Sequence, residues 1–395
     1  MNQSRLRLDV LEERYMLTTL SVFQRQANPL ASFFAVAGAV DVGTDGGSSN
    51  RVQVRRRSDG SLIADFVPFP STYRGGVTVA VGDVNHDAID DLIVGRAESP
   101  ADGTADTLPQ VKIFSGVAFQ NGTFQVGNPN LSLLAQFSPY ASRFHVGVNV
   151  AAGDIDNNGF ANIITGPTSG NPDVRVFRGQ DIVNHNFNPV AQWFAYGLNF
   201  NVGANVASGD VNADGFADVA TGATSGNPHV KVYNGRDIAT GHFNPDGPSL
   251  MASFFADQLG RNIGAFVAVG DTIGDGFADV ITGQTRGGSL VKVFDGRAIA
   301  EAAIPDNRRV FNPNTDLLDQ FFAFPPASDP GGADGVTVAS SDFAVPARFD
   351  ILTGNAHSAP QFRVVPGNAH GTRPPTVNGI DGFALNIPGG IFVGA

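Results

Sequence analysis

Four segments of this chain are copies of one pattern: VTVAVGDVNHDAIDDLIVG (77–95), VNVAAGDIDNNGFANIITG (148–166), ANVASGDVNADGFADVATG (204–222) and AFVAVGDTIGDGFADVITG (265–283). A fifth, VTVASSDFAVPARFDILTG (336–354), keeps the flanking apolar runs and loses the middle. The aspartate that opens each middle stands at 83, 154, 210, 271 and 342, at intervals of 71, 56, 61 and 71 residues. A self-similar unit of about 65 residues restricts the chain to architectures that repeat one supersecondary unit.

Each unit has the same internal order. A V-x-V-A run precedes the loop, and an apolar run ending in T-G or V-G follows it. After a turn such as TSGNP (168–172, 224–228) comes V-[KR]-[VI]-[FY], at Val111–Phe114, Val174–Phe177, Val230–Tyr233 and Val291–Phe294, with degenerate forms at Val52–Arg55 and Phe362–Val365. A last run carries A-S-F-F-A or a relative, as at Ala252–Ala256 and Phe321–Phe324. Short β-branched and aromatic runs between turn residues predict strands, not helices. Four strands per unit make the blade of a β-propeller. The expected fold is therefore all-β, a propeller of six four-stranded blades, with seven as the alternative.

The first unit, near 39–69, lacks a V-x-V-A strand, and the tail GGIFVGA (389–395) resembles GGVTVA (75–80). The tail is thus expected to complete the first blade and hide the raw edge of the ring. The outer strand of the sixth blade is expected from Gly382–Ile387 or Leu30–Ala35. Both faces of a blade read as apolar, so each blade needs neighbours on both sides. The Phe residues of the last strand (Phe194, Phe254, Phe255, Phe321, Phe322) are expected to fill the space between blades. Residues 30–395 form one propeller domain on this reading, preceded by a segment at 1–29 that is disordered or a short helix.

The loops carry the chemistry. Positions 1, 3, 5, 6 and 9 read Asp83, Asn85, Asp87, Ala88 and Asp91 in one loop, and Asp154, Asp156, Asn158, Gly159 and Asn162 in the next. They read Asp210, Asn212, Asp214, Gly215 and Asp218, then Asp271, Ile273, Asp275, Gly276 and Asp279, in the other two. Alternate oxygens followed by a tight turn point inward at one cation. The carbonyl at position 7 (Ile89, Phe160, Phe216 or Phe277) can add a ligand, and the residue at position 9 is expected to close the cage. Hard oxygen donors in this number suit Ca²⁺ rather than zinc or copper. About three to four structural ions are expected, at the weak affinities of extracellular modules. The Asp210 loop is the best set, the Asp154 loop is poorer in charge, and Ile273 removes a ligand from the Asp271 loop. The Asp342 loop keeps only Asp342 and Asp350 around Pro346 and is expected to hold no ion.

Other chemistry is absent from the sequence. There is no Cys, which excludes disulfides and thiolate sites, and a net charge of −12 disfavours nucleic-acid binding. No H-E-x-x-H, G-x-S-x-G or phosphate-binding glycine loop occurs. The His residues (86, 145, 185, 229, 242, 357, 370) share no metal spacing and read as surface or turn residues. Lys112, Lys231, Lys292, Arg175 and Arg363 occupy one strand slot. They read either as packed stems whose charges reach water or as a ring of cations for an acidic ligand. The basic stretches 51–57 and 306–309 read as solvated faces. No run is long and apolar enough for a membrane span, and no standard secretory signal is visible.

The pattern V-A-x-G-D-x-[DN]-x-[DN]-G-x-x-D, followed by an apolar strand and T-G, resembles the FG-GAP/VCBS repeat of integrin α chains and many bacterial surface proteins. The resemblance covers about 30–395. It implies calcium in the blade loops, an extracellular or cell-surface location, and adhesion or ligand binding. The start, LDVLEERYML, also resembles the LEPR-XLL motif of bacterial surface and secreted proteins, with Glu13 in place of its Pro and Met16 in place of a Leu. The expected function is a calcium-stabilised, non-enzymatic, monomeric module that binds an extracellular protein or glycan. The alternatives are a calcium-assisted polysaccharide lyase or hydrolase, and a structural wall or matrix component.

Overall fold

A computed structural model describes residues 33–38, 50–57, 60–70, 73, 75–97, 108–141, 144, 146–197, 200–260, 262–304, 309–324, 335–341, 349–355, 362–367 and 391–394. Its first strand, β1 (Phe33–Gly38), pairs antiparallel with β2 (Val52–Arg56), which pairs with β3 (Leu62–Phe66). Four antiparallel meanders follow. They are β4 (Val77–Gly82), β5 (Asp91–Arg96), β6 (Val111–Phe114) and β7 (Leu133–Phe137); β8 (Val148–Gly153), β9 (Asn162–Pro167), β10 (Asp173–Phe177) and β11 (Ala191–Phe194); β12 (Asn205–Gly209), β13 (Asp218–Gly222), β14 (His229–Tyr233) and β15 (Leu250–Phe255); and β16 (Ala265–Gly270), β17 (Asp279–Gln284), β18 (Leu290–Phe294) and β19 (Leu317–Phe322). The last sheet is β20 (Val336–Ser341), β21 (Asp350–Asn355) and β22 (Phe362–Val365). A short helix follows the third strand of each meander: α1 (Gly116–Gln120), α2 (Gly179–Val183), α3 (Gly235–Thr240) and α4 (Gly296–Ala303).

The C-terminal strand β23 (Ile391–Gly394) pairs with β1, Ala35 opposite Gly394 and Gly38 opposite Ile391. It lies at the inner edge of the sheet β23-β1-β2-β3 and packs against both β4 and β20. The first strands of successive sheets are stitched by polar side chains. Thr78 Oγ1 donates to the Val148 carbonyl (2.6 Å), Asn149 Nδ2 to Ala204 (2.9 Å), Asn205 Nδ2 to Ala265 (2.7 Å) and Ser340 Oγ to Val269 (2.7 Å). Their small side chains line a cavity of about 220 Å³, with Ser208 and Phe349 at its wall. The architecture is an all-β propeller.

The blade count departs from expectation. Five sheets of the described residues have four strands, not six or seven, and β20–β22 form a three-stranded sheet. One candidate for the missing outer strand, Leu30–Ala35, overlaps β1, which is the second strand of the first sheet. There it is held on both sides, by β2 and β23. The other candidate, Gly382–Ile387, lies outside the described residues, as do residues 1–29 with the LEPR-XLL-like stretch, and Asp342.

The expected Phe filler is also half right. In S-F-F-A, Phe254 is 5 % exposed and packs on Phe294 (4.8 Å) and Phe311 (5.0 Å) between blades. Its neighbour Phe255 is 40 % exposed, and Phe194 and Phe322 are likewise exposed. Successive strand residues point to opposite faces, so only one of each adjacent pair can enter the seam. Arg55, read as part of a solvated basic stretch, is buried and donates to the Gly60 carbonyl and Gln53 Oε1.

Candidate cation loops and the seams between blades

The four loops share one hydrogen-bond scheme. The position 1 carboxylate accepts the backbone N–H of positions 5 and 6: Asp83 from Asp87 (3.0 Å) and Ala88 (2.8 Å), Asp154 from Asn158 (2.9 Å) and Gly159 (2.8 Å). Asp210 accepts from Asp214 (3.0 Å) and Gly215 (2.9 Å), and Asp271 from Asp275 (3.1 Å) and Gly276 (2.8 Å). The position 5 side chain accepts the N–H of position 7 in every copy: Asp87 from Ile89, Asn158 from Phe160, Asp214 from Phe216 and Asp275 from Phe277. The turn needs positive φ at position 6, supplied by Gly159 (88°), Gly215 (87°) and Gly276 (88°), while Ala88 is forced to 66°. These bonds fix the backbone and leave the remaining lone pairs of positions 1, 3 and 5 for a further partner.

Position 9 also makes contacts beyond its own loop. Asp91 accepts from the N–H of Val84 (3.0 Å) and Gly116 (2.9 Å), and Asp218 from Val211 (3.0 Å) and Gly235 (2.8 Å). Asp279 accepts from Thr272 N–H and Oγ1 and from Gly296 N–H (3.0 Å). In the last sheet Asp350 accepts from Gly367 N–H (3.2 Å). These buried carboxylates clasp the loop to the turn after the third strand. That turn must be Gly: a Cβ on Gly235 would lie 1.9 Å from the Ala217 carbonyl oxygen, and one on Gly116 1.9 Å from that of Asp90. Sequence reasoning missed this glycine, although it stands two residues after the last strand residue in Phe114-Ser115-Gly116, Tyr233-Asn234-Gly235 and Phe294-Asp295-Gly296.

Burial dominates the electrostatics. It pushes the Asp91 and Asp279 carboxyls up to about 7 and Asp218 well above the ordinary range, with nearby loop carboxylates adding to the rise. Asp83, Asp156 and Asp210 are also raised by burial first, with Asp87, Asp154 and Asp214 respectively pushing the same way. Arginines relieve some loops: Arg178 Nε lies 3.3 Å from Asp156, and Arg297 Nε 2.9 Å from Asp275. In the Asp210 loop the corresponding Arg236 sits over the Phe216 ring (5.6 Å) instead. Among the described residues no three Asp, Glu, His or Cys side chains are grouped so as to hold a metal by themselves. A cation here would draw on Asn85 or Asn212 at position 3, Asn158 at position 5 and the position 7 carbonyl as well. The donors are hard oxygens crowded with excess negative charge, and in that respect they fit Ca²⁺.

The loops are also linked in series. Ala161 N–H donates to the Asp83 carbonyl (2.6 Å), Ala217 to Asp154 (3.0 Å), Ala278 to Asp210 (2.9 Å) and Phe349 to Asp271 (2.8 Å). His86 Nδ1 lies 2.8 Å from the Gly159 carbonyl, and its ring packs at a tilt on Phe160 (5.0 Å).

The cation slot serves the seams. Lys112 Nζ donates to the Pro68 carbonyl (2.9 Å), Arg175 Nη1 to Pro139 (2.6 Å), Lys292 Nζ to Ala256 (2.9 Å) and Arg363 Nη1 to Ala323 (2.8 Å). Each acceptor follows the outer strand of the preceding blade. Four of the five slot residues are thus latches to a neighbour, which neither sequence reading anticipated. His229, read as a surface residue, is half-buried between Tyr196 (5.2 Å) and Phe255 (4.7 Å).

Fold and loops together define a β-propeller built on an aspartate-rich loop repeat. Residues 202–236 match the FG-GAP repeat, and the match takes in the Asp210 loop and Gly235. The chain is similar to integrin alpha-5 of Xenopus laevis, 27% identical over 259 residues, which are 60% of this chain and 22% of that protein. It therefore spans about a fifth of the length of that relative. Among solved structures it is similar to the rhamnogalacturonan lyase YesW (TM-score 0.35, 11% identity, 87% of this chain and 71% of that one). It is also similar to Saccharomyces cerevisiae Sqt1 (TM-score 0.41, 8% identity, 85% and 70%). No helix of the described residues is long and apolar enough to cross a membrane.

Proposed function

We propose that this chain is a calcium-stabilised, non-enzymatic binding module that works outside the cell or at its surface, with a protein or glycan as its ligand. The likeness to an integrin α chain supports the location and the binding role. The single observation that carries the calcium is the repeated loop scheme, in which the backbone fixes positions 1 and 5 while burial and like charge raise the carboxyls. Bound calcium would supply positive charge that offsets this repulsion. Asp210, Asn212, Asp214 and the Phe216 carbonyl form the best site, because among the described residues no arginine is paired to Asp214 as Arg297 is to Asp275. Asp83, Asn85, Asp87 and the Ile89 carbonyl follow. Asp154, Asp156, Asn158 and the Phe160 carbonyl form a weaker site, as do Asp271, Asp275 and the Phe277 carbonyl. Asp91, Asn162, Asp218 and Asp279 close these sites from position 9, and Asp91, Asp218 and Asp279 also brace the loops.

Thermal melting in EDTA and in millimolar Ca²⁺ tests the reading. Binding to the folded state alone raises stability by mass action, so the melting temperature should rise by several degrees with Ca²⁺. Asp214→Asn should lose part of that rise. An unchanged melting temperature would remove the metal from the account.

A further inference from the structure

Two neighbouring blades carry the same corner with three groups exchanged, Asp173 for His229, Arg175 for Lys231 and Gln192 for Ser253. In the β8–β11 blade, Asp173 lies opposite Phe194 and Arg175 opposite Gln192 and Thr165. Tyr140 of the preceding blade donates its hydroxyl to the Asp173 carbonyl (3.0 Å) and lies 3.2 Å from Thr165 Oγ1. Asp173 Oδ2 fills the corner, accepting from Arg175 Nε (3.2 Å) and Nη2 (2.8 Å) and from Gln192 Nε2 (3.1 Å).

In the β12–β15 blade the register repeats residue for residue: His229 lies opposite Phe255, and Lys231 opposite Ser253 and Thr221. Tyr196 donates to the His229 carbonyl (3.1 Å) and lies 3.1 Å from Thr221 Oγ1, as Tyr140 does one blade earlier. The acid is gone, because His229 stands where Asp173 stood. The latch is gone too: the Ala195 carbonyl accepts from the Tyr233 hydroxyl (3.2 Å) and not from Lys231. Lys231 makes no hydrogen bond or ion pair to any described residue, and Asp246 acts on it only from beyond ion-pair distance. In the β16–β19 blade a carboxylate is again present, with Asp257 3.5 Å from Lys292 and accepting from Gln284.

We propose that the corner of Lys231, Ser253 and His229, walled by Tyr196 and Phe255, binds the carboxylate of a sugar acid in the place that Asp173 fills one blade earlier. Lys231 supplies the charge-assisted donor, and the Ser253 hydroxyl and His229 ring, hydrogen-bonded to each other at 2.8 Å through Oγ and Nε2, line the approach. Phe255 is 40 % exposed and offers a ring face, which suits the C–H face of a pyranose better than a short acidic side chain. The net charge of −12 gives no long-range attraction to a polyanion, so the ligand is an isolated uronate rather than a dense acidic polymer. The site rests on the binding-module reading and names a ligand class for it, but it uses none of the calcium loops.

Calorimetric titration of the full chain with methyl glucuronide, methyl glucoside and an aspartyl dipeptide tests the site, with Lys231→Met and His229→Asp as variants. His229→Asp restores a built-in carboxylate and should occupy the corner itself. The expected result is saturable binding of the glucuronide only, weakened at least ~10-fold in both variants, while His229→Asp melts at or above the wild-type temperature. Glucuronide binding no tighter than glucoside binding would overturn the proposal, as would glucuronide binding that His229→Asp leaves unchanged. Dipeptide binding as tight as the glucuronide would overturn the sugar assignment. The calcium-dependent melting shift is measured on the same sample, so loss of the site and loss of the calcium reading are distinguishable.

Discussion

Lys292 Nζ donates to the Ala256 carbonyl at 2.9 Å, joining the third strand of one blade to the end of the outer strand of the blade before it. The same bond recurs from Lys112, Arg175 and Arg363, so the seams of the propeller are held by charge-assisted hydrogen bonds as well as by apolar side chains.

Removing a latch should therefore weaken the fold without touching its core. A hydrogen bond to a charged group contributes about 1.5–3 kcal/mol. Lys292→Met should cost an amount near the low end, because the lysine side chain is 19% exposed. Chemical denaturation of wild type and variant reads this directly, with an unchanged midpoint contradicting the latch.

The paired Phe residues should separate in the same experiment. Phe254→Ala opens a cavity in the seam and should cost about 3–5 kcal/mol. Phe255→Ala removes a largely exposed ring and should cost well under half of that. Equal losses would mean that both rings fill the seam.

One loop carries a correctable strain. Ala88 sits at φ 66° where three sister loops have Gly. Ala88→Gly should stabilise the protein by about 0.5–1 kcal/mol, since a Cβ is disfavoured in the left-handed region. A destabilised variant would contradict the shared loop geometry. Conversely, Gly235→Ala should be severely destabilising, because its Cβ meets the backbone oxygen of Ala217.

The corner histidine should confer acid sensitivity. Burial first, and then the Lys231 charge, push His229 down to about 4 from the ordinary 6.5. A group whose folded value is depressed binds its proton more readily when unfolded. Its contribution is therefore present above pH 6.5 and is lost as pH falls toward 4. Melting temperatures of wild type and His229→Gln should converge across that window, and a constant difference would show that His229 does not titrate with unfolding.

Much of the fold was legible because the repeat presents each signal several times. Strand runs such as Val230–Tyr233 were placed within a residue or two, and the joining of the tail to the first sheet followed from comparing Gly389–Ala395 with Gly75–Ala80. The blade count was not legible, because β1 carries no copy of the motif and its place is fixed by tertiary pairing to β2 and β23. The loop turn was legible to the extent that spacing encodes it. Positions 1 and 5 adopt the turn that alternate oxygens and a Gly require. The contacts of position 9 beyond its own loop could not be assigned from spacing, since the partners, Gly116, Gly235 and Gly296, lie 25, 17 and 17 residues away in the chain. The cation slot was visible as a column, but its acceptors belong to the preceding blade and leave no local mark.

Calcium in the aspartate loops is the proposal on which the rest depends. Equilibrium dialysis against labelled Ca²⁺ tests it most directly. About three to four ions per chain should bind in the range of 10⁻⁴–10⁻³ M, with one site lost in Asp210→Ala. No bound calcium at several millimolar, or a stoichiometry that Asp210→Ala leaves unchanged, would contradict it.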